Sequence, residues 1–161
     1  MELASLKDGH HEQDFEIGKE FFENMENPDI LDADIRVHMD LEKKNGVYDC
    51  AFHCVGEVTV PCDRCLDPLE IPVDTVYRVT VKYGDNYDDG ADNLLTIPYD
   101  NKYLNVAYIL YDTILLTVPI RHVHPQGKCN KTMLDALRKH RRSDDGEDTD
   151  GEDMEPEESD N

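Results

Sequence analysis

Positive charge is scarce in this chain. Its 161 residues hold 16 Lys and Arg against 37 Asp and Glu, a formal net charge of −21 at neutral pH. So acidic a molecule repels polyphosphate at long range, which leaves a local basic patch or a basic partner as the routes to any nucleic-acid role. Long apolar runs are also missing. The longest apolar stretch, Tyr108 to Ile120, is interrupted by Asp112 and reaches Pro119, short of the ~20 apolar residues that a membrane-spanning helix needs. No apolar signal-peptide core lies near residue 1, so a soluble, cytoplasmic protein without membrane contact is expected. The five cysteines are an odd set and nothing else marks a secreted disulfide framework, which favours reduced thiols. Catalytic signatures are absent as well: there is no Gly-rich phosphate loop, no Gly-x-Ser-x-Gly and no His-Glu-x-x-His. Asp88 with Asp89, Asp67, and His10 with His11 fall in polar segments read as loops, where solvated charge is the ordinary explanation. Cys129 near His124 can be drawn as nucleophile and base, yet nothing supplies an oxyanion hole. A non-enzyme without a small-molecule substrate is the expectation.

What is present is unevenly distributed. From Ser143 to Asn161 the chain has 11 acidic residues, no basic one and only Met154 as an apolar side chain. Such a segment cannot offset the entropy of ordering and reads as a disordered acidic tail, residues 143–161. Residues 1–142 remain as one domain, long enough to bury a core. Just before the tail the sign reverses, because Lys128, Lys131, Arg138, Lys139, Arg141 and Arg142 face a single acid, Asp135. This run is either a basic helix end complementing the helix dipole or a patch that binds phosphate.

The middle of the chain reads as strands. Leu31, Ala33, Ile35, Val37, Met39 and Leu41 alternate with polar residues, the period of a half-buried strand. Asn45-Gly46 follows, the favoured pair for a two-residue turn with positive φ. With that pair as the loop, Lys44 faces Val47, and Leu41, Met39, Val37 and Ala33 face Cys50, Phe52, Cys54 and Val58. Apolar meets apolar throughout, which predicts this register and places Cys50 and Cys54 in the core as structural thiols. A third strand is expected from about Leu69 to Tyr83, then an acidic loop from Gly84 to Asn93 and a short edge strand from Leu94 to Tyr99. Asn105 is a plausible cap for a helix to about Thr117, apolar nearly all round and hence expected to be buried against the sheet, with Pro119 as its stop. Phe15 and Ile17 suggest a short strand, Phe21, Phe22 and Met25 a helix, and residues 130 to 142 a last helix with Met133, Leu134 and Leu137 as its apolar stripe. The fold class expected is α+β: an antiparallel sheet built on a long central hairpin plus a third strand and packed by a buried helix.

Between the second and third of these strands stands Cys62-Asp63-Arg64-Cys65, with His124 and Cys129 some sixty residues downstream. Two Cys separated by two residues can bite one ion, because the turn brings both sulfurs to one side, and zinc asks for four such ligands in a tetrahedron. Cys62, Cys65, His124 and Cys129 are the candidate ligands, with His122 as a competing donor and Arg64 as a neighbour that favours thiolate. The alternative is a pair of reduced thiols in a tight turn, with His124 bonded to a carbonyl. A redox pair fits less well, since Leu66-Asp67-Pro68 leads into a strand rather than a helix.

The Pro61-Cys62-Asp63-Arg64-Cys65-Leu66 segment after a long hairpin, a helix ending Ile114-Leu115-Leu116-Thr117-Val118-Pro119-Ile120, and the following His124-x4-Cys129 together resemble the bacterial YceD family. The similarity runs from Phe15-Glu16-Ile17 to about Cys129, and Lys131-Thr132-Met133-Leu134-Asp135-Ala136-Leu137 is similar to the branch found in Bacteroidetes. The resemblance implies a role in synthesis, processing or stability of large-subunit ribosomal RNA. The chain departs from the family where some members carry a second Cys-x-x-Cys and it offers His124 and Cys129, and it has Thr113 near a position where members often carry an acid. Three functions follow as expectations: a ribosome-biogenesis factor whose run from Lys128 to Arg142 touches rRNA phosphates, an acidic chaperone or adaptor for a basic ribosomal protein, or a zinc-knuckle interaction module unrelated to ribosomes.

Overall fold

A computed structural model describes residues 1–144, with side chains described as far as Lys139. The elements in chain order are β1 (Gly9–Gly18), α1 (Lys19–Asn24), β2 (Asp32–Lys44), β3 (Val47–Pro61), β4 (Pro68–Gly84), β5 (Asp88–Ala91), β6 (Leu94–Pro98), α2 (Val106–Leu115) and α3 (Lys131–Asp144). They form an α+β structure on a six-stranded sheet of order β1-β2-β3-β4-β6-β5.

The long hairpin β2–β3 organises the sheet. Asn45 and Gly46 take φ of 52° and 77°, the pair of positive values whose twist matches two antiparallel strands. Lys44 then faces Val47, and Leu41, Met39 and Val37 face Cys50, Phe52 and Cys54. β4 continues the ladder on the other side of β3, from Val47 opposite Lys82 to Pro61 opposite Pro68. One face of these strands is the core: Val37, Leu41, Phe52, Cys54, Val58 and Val81 are at most 1% exposed. Leu3, Phe22 of α1, and Leu110 and Ile114 of α2 close over it. Each large aliphatic or aromatic side chain so buried contributes about 1.5–3 kcal/mol, which is why the register is specified so strongly. Gly56 is needed within β3: its φ is 156°, and a Cβ there would collide with the backbone of Asp34 and Ile35 across the ladder.

Several expectations are corrected. The sheet has six strands: the hairpin, the third strand, the strand around Phe15 and the strand from Leu94 are joined by one that was not expected, β5. Phe15 and Ile17 belong to a ten-residue strand, β1, that pairs with β2 from Gly9 opposite Lys43 to Gly18 opposite Asp34; its first half is polar and exposed, so no alternation announces it. The segment expected as an acidic loop contains β5, so Asp88 and Asp89 lie in a strand, as His10 and His11 do in β1. β6 is not an edge, for it runs parallel to β4 and lies between β4 and β5. α2 is buried on one flank only: Tyr108 is 62% and Leu116 87% exposed, because no other described element covers that side. α2 also ends at Leu115, before Pro119, and α3 carries on through Ser143 and Asp144. The rest of the segment expected to be a disordered tail lies outside the described residues. Among the described residues no helix is long and apolar enough to cross a membrane.

Candidate metal centre

The turn that closes β3–β4 is built on backbone bonds. Cys62 N–H donates to the Asp67 carbonyl at 2.9 Å and Leu66 N–H to the Cys62 carbonyl at 2.9 Å, with Leu66 at a φ of 63°. Both sulfurs are thereby turned to one side, and Cys62 and Cys65 are buried. The chain leaving α2 is then clamped onto this turn by Asp63. Asp63 N–H donates to the His122 carbonyl at 3.0 Å, His122 N–H returns to Asp63 Oδ2 at 2.7 Å, and His122 Nε2 lies 3.3 Å from Asp63 Oδ1. His122 Nδ1 is 3.0 Å from the Pro119 carbonyl. Both its ring nitrogens are therefore engaged with oxygen, and His122 is not the fourth donor of the cluster.

His124, two residues on, is. Its N–H points at Cys62 Sγ at 3.5 Å, its Nδ1 lies 3.4 Å from Cys65 Sγ, and its Nε2 lies 3.1 Å from the Pro68 carbonyl. Nε2–H donating to that carbonyl leaves the Nδ1 lone pair facing the sulfurs, the tautomer a metal requires and the usual arrangement behind a ligating imidazole. A turn over Pro125 to Lys128, with Gly127 at a φ of 83° and Lys128 N–H on the Pro125 carbonyl at 3.1 Å, folds Cys129 back onto the pair. Asn130 caps α3 directly afterwards, its Oδ1 accepting from Thr132 N–H at 3.0 Å. The donor atoms of Cys62, Cys65, His124 and Cys129 all lie within 4.8 Å of one another. A tetrahedral zinc, with bonds of about 2.3 Å to sulfur and 2.0–2.1 Å to nitrogen, would need only a small contraction of such a group.

The electrostatics have the same sense. Burial pushes the Cys62 thiol up, but N–H donors of His124, Arg64 and Cys65 outweigh it and bring it down to about 6. Arg64 thus acts through its backbone amide rather than through its charge. Cys129 is held up, first by burial and then by its neighbours Cys65 and Cys62. His124 is raised, chiefly by its contact with Cys62, against the opposing effect of burial. Three adjoining sulfurs cannot all ionise unaided; a divalent cation supplies the charge that permits it. Leu69, Val123, Met133 and Leu134 pack against the cysteines, so the cluster is also where α3 docks.

Of the basic residues singled out, Lys128, Lys131, Arg138 and Lys139 are exposed, and Arg138 lies 3.7 Å from Asp135. Lys128 and Lys131 flank Cys129. Arg141 and Arg142 lie within α3, their side chains outside the described set. Sequence reasoning missed the Asp63 clamp, for which ligand spacing carries no signal. It also missed a second group, His10, Glu12 and Asp40, whose donor atoms come within 4.8 Å across β1 and β2; cross-strand pairing alone brings these together. That group is largely solvent-facing, with His10 and Glu12 exposed and Asp40 half-buried.

Residues 50–159 match the family model described as large ribosomal RNA subunit accumulation protein YceD. No curated protein and no solved structure gives a significant match. The matched segment opens within β3 and takes in β4, both later strands, α2 and the whole cysteine cluster, well over half of the residues, and on that extent the chain belongs to the YceD family.

Proposed function

We propose that this protein is a non-catalytic, cytoplasmic ribosome-biogenesis factor that supports synthesis, processing or stability of large-subunit ribosomal RNA. The family match carries this reading. In its mechanism, Cys62, Cys65, His124 and Cys129 would hold one zinc ion. Bound there, zinc would be structural, since four protein donors leave it no open position for substrate. What the chain's own residues do is fix α3: Met133 and Leu134 rest on the cluster, and Lys128 and Lys131 stand exposed beside Cys129. With Arg138, Lys139, Arg141 and Arg142, they are the basic run that would meet rRNA phosphates, a local exception in an acidic sequence.

The test is genetic and biochemical together. Cells lacking the protein should lose mature large-subunit rRNA relative to small-subunit rRNA. The unaltered gene should restore it, and Cys65→Ser with Cys129→Ser should not. Unchanged rRNA ratios in the deletion strain would end the proposal. A second reading, an adaptor for a basic ribosomal protein, is favoured by the net charge of −21.

A further inference from the structure

α2 presents an apolar flank that no other described element covers. Between this flank and β5 lies a groove of 310 Å³ with Val79, Leu95 and Thr113 in its floor and Tyr108, Leu116 and Tyr87 among its walls. The floor residues are between 5% and 9% exposed, whereas the wall residues Tyr108, Leu116 and Tyr87 are 62%, 87% and 59% exposed. Tyr108 and Asp112 of α2 and Leu116 at its C-cap recur every four residues, and Leu116 keeps helical backbone angles, so the three form one ridge. A monomer gains nothing by leaving a floor and a ridge of this kind open to water, and contiguous apolar surface with a polar rim is how partner sites are built.

The rim says what the partner is. Its charged residues are Asp112 on the helix and Asp89 on β5, and no Lys or Arg lines the groove. The segment from Gly84 to Asn93, which supplies Tyr87 and Asp89, also holds Asp85, Asp88 and Asp92 and no basic residue. Asp89 accepts a hydrogen bond from Tyr87 Oη at 3.2 Å, which holds the carboxylate beside the aromatic wall. RNA is disfavoured here, since carboxylates without a cation repel phosphate. Residues 145–161 of this chain are disfavoured as the occupant for the same reason, being acidic with one apolar residue.

We infer that the α2–β5 groove docks a cationic amphipathic helix of another protein, with its apolar side chains between Tyr108 and Leu116 and its Lys or Arg residues on Asp89 and Asp112. The inference does not depend on the metal or on the basic strip of α3, and it gives the adaptor reading a place on the molecule. The ridge of α2 supplies the anchors for the apolar face. The two carboxylates set orientation and on-rate more than affinity.

The probe is a fluorescein-labelled peptide of Leu and Lys in helical register, titrated by anisotropy against the full chain, with a scrambled peptide of the same composition as control. Binding in the micromolar range is expected for the first and at least tenfold weaker binding for the second. Tyr108→Ser and Leu116→Ser, both at exposed positions that folding does not need, should each weaken binding about tenfold. Asp89→Asn with Asp112→Asn should flatten its salt dependence. Lys128→Gln with Lys131→Gln should leave it unchanged while reducing any rRNA binding, which keeps failure of the groove distinguishable from failure of the rRNA reading. No peptide binding at about 1 mM, or binding indifferent to Tyr108 and Leu116, overturns the inference. So does self-association of the unaltered chain that Leu116→Ser abolishes, because the occupant would then be a second copy, and so does displacement of the peptide by an RNA oligonucleotide.

Discussion

Cys54 and Cys62 belong to one hairpin, and both are completely buried, yet their thiols are driven in opposite directions. Cys54 is pushed up to about 11 by burial alone, and Cys50 beside it to about 12, by burial and then by Asp49. Cys62 is brought down to about 6. Within the sheet the backbone amides are spent on the ladder, so a thiol there meets hydrocarbon and stays neutral. In the turn the amides of Arg64, Cys65 and His124 are left over and face sulfur. Free donors separate Cys62, the thiol most ready to ionise, from the neutral thiols of the sheet.

The sharpest way to break this comparison is to remove one sulfur from each region. Cys65→Ala should take metal content from about one zinc per chain to none by elemental analysis, and should abolish the sulfur-to-metal charge-transfer band of the cobalt-substituted protein. Hydrogen exchange should then rise across residues 122–139 while β2, β3 and β4 keep their protection. A Cys65→Ala protein that still binds metal stoichiometrically would show that the four donors do not act together. In the sheet, Phe52→Ala should cost about 3–5 kcal/mol in urea unfolding, with metal retained. Cys50→Ser and Cys54→Ser should each cost about 1–3 kcal/mol through a buried hydroxyl, again with metal retained; loss of zinc in either would erase the distinction between the two regions.

The pH dependence sharpens the contrast further. In metal-free protein, iodoacetamide should label Cys62 first, through local opening of its turn, and leave Cys50 and Cys54 untouched until the sheet unfolds. Because its folded pKa is depressed from the usual 9.0 to about 6, Cys62 stabilises the metal-free fold fully above pH 9, and this contribution is lost as pH falls through 6. Equal labelling of all five thiols in the folded protein would refute the assignment. The smallest effect concerns charge: deleting residues 145–161 should strengthen RNA binding a few-fold if the basic strip meets phosphate, and should instead weaken capture of a basic ribosomal protein if the acidic segment is the contact. Salt titration of the truncated chain separates the two.

Much of this was legible for local reasons. Asn45-Gly46 and the alternation around it determine the β2–β3 register without outside help, and the Cys-x-x-Cys spacing with His124 and Cys129 downstream picks out the four residues whose donor atoms cluster. The half-polar β1 was only partly legible, because an edge strand needs no alternation. The parallel pairing of β6 with β4 depends on contacts that no local pattern encodes. α2 is apolar nearly all round, a pattern that predicts burial, and only the sheet's actual extent leaves Tyr108 and Leu116 outside. Spacing points to His124 with His122 as a competitor, and the Asp63 side chain is what takes His122 away from the cluster.

That clamp has a kinetic meaning. With His122 tethered to Asp63, His124 is confined to a volume of a few ångströms around the two sulfurs, an effective concentration of at least the millimolar order that short tethers produce. Loss of the ion would not require the downstream ligands to diffuse away, so recapture becomes a local event whose rate is set by metal arrival rather than by chain search.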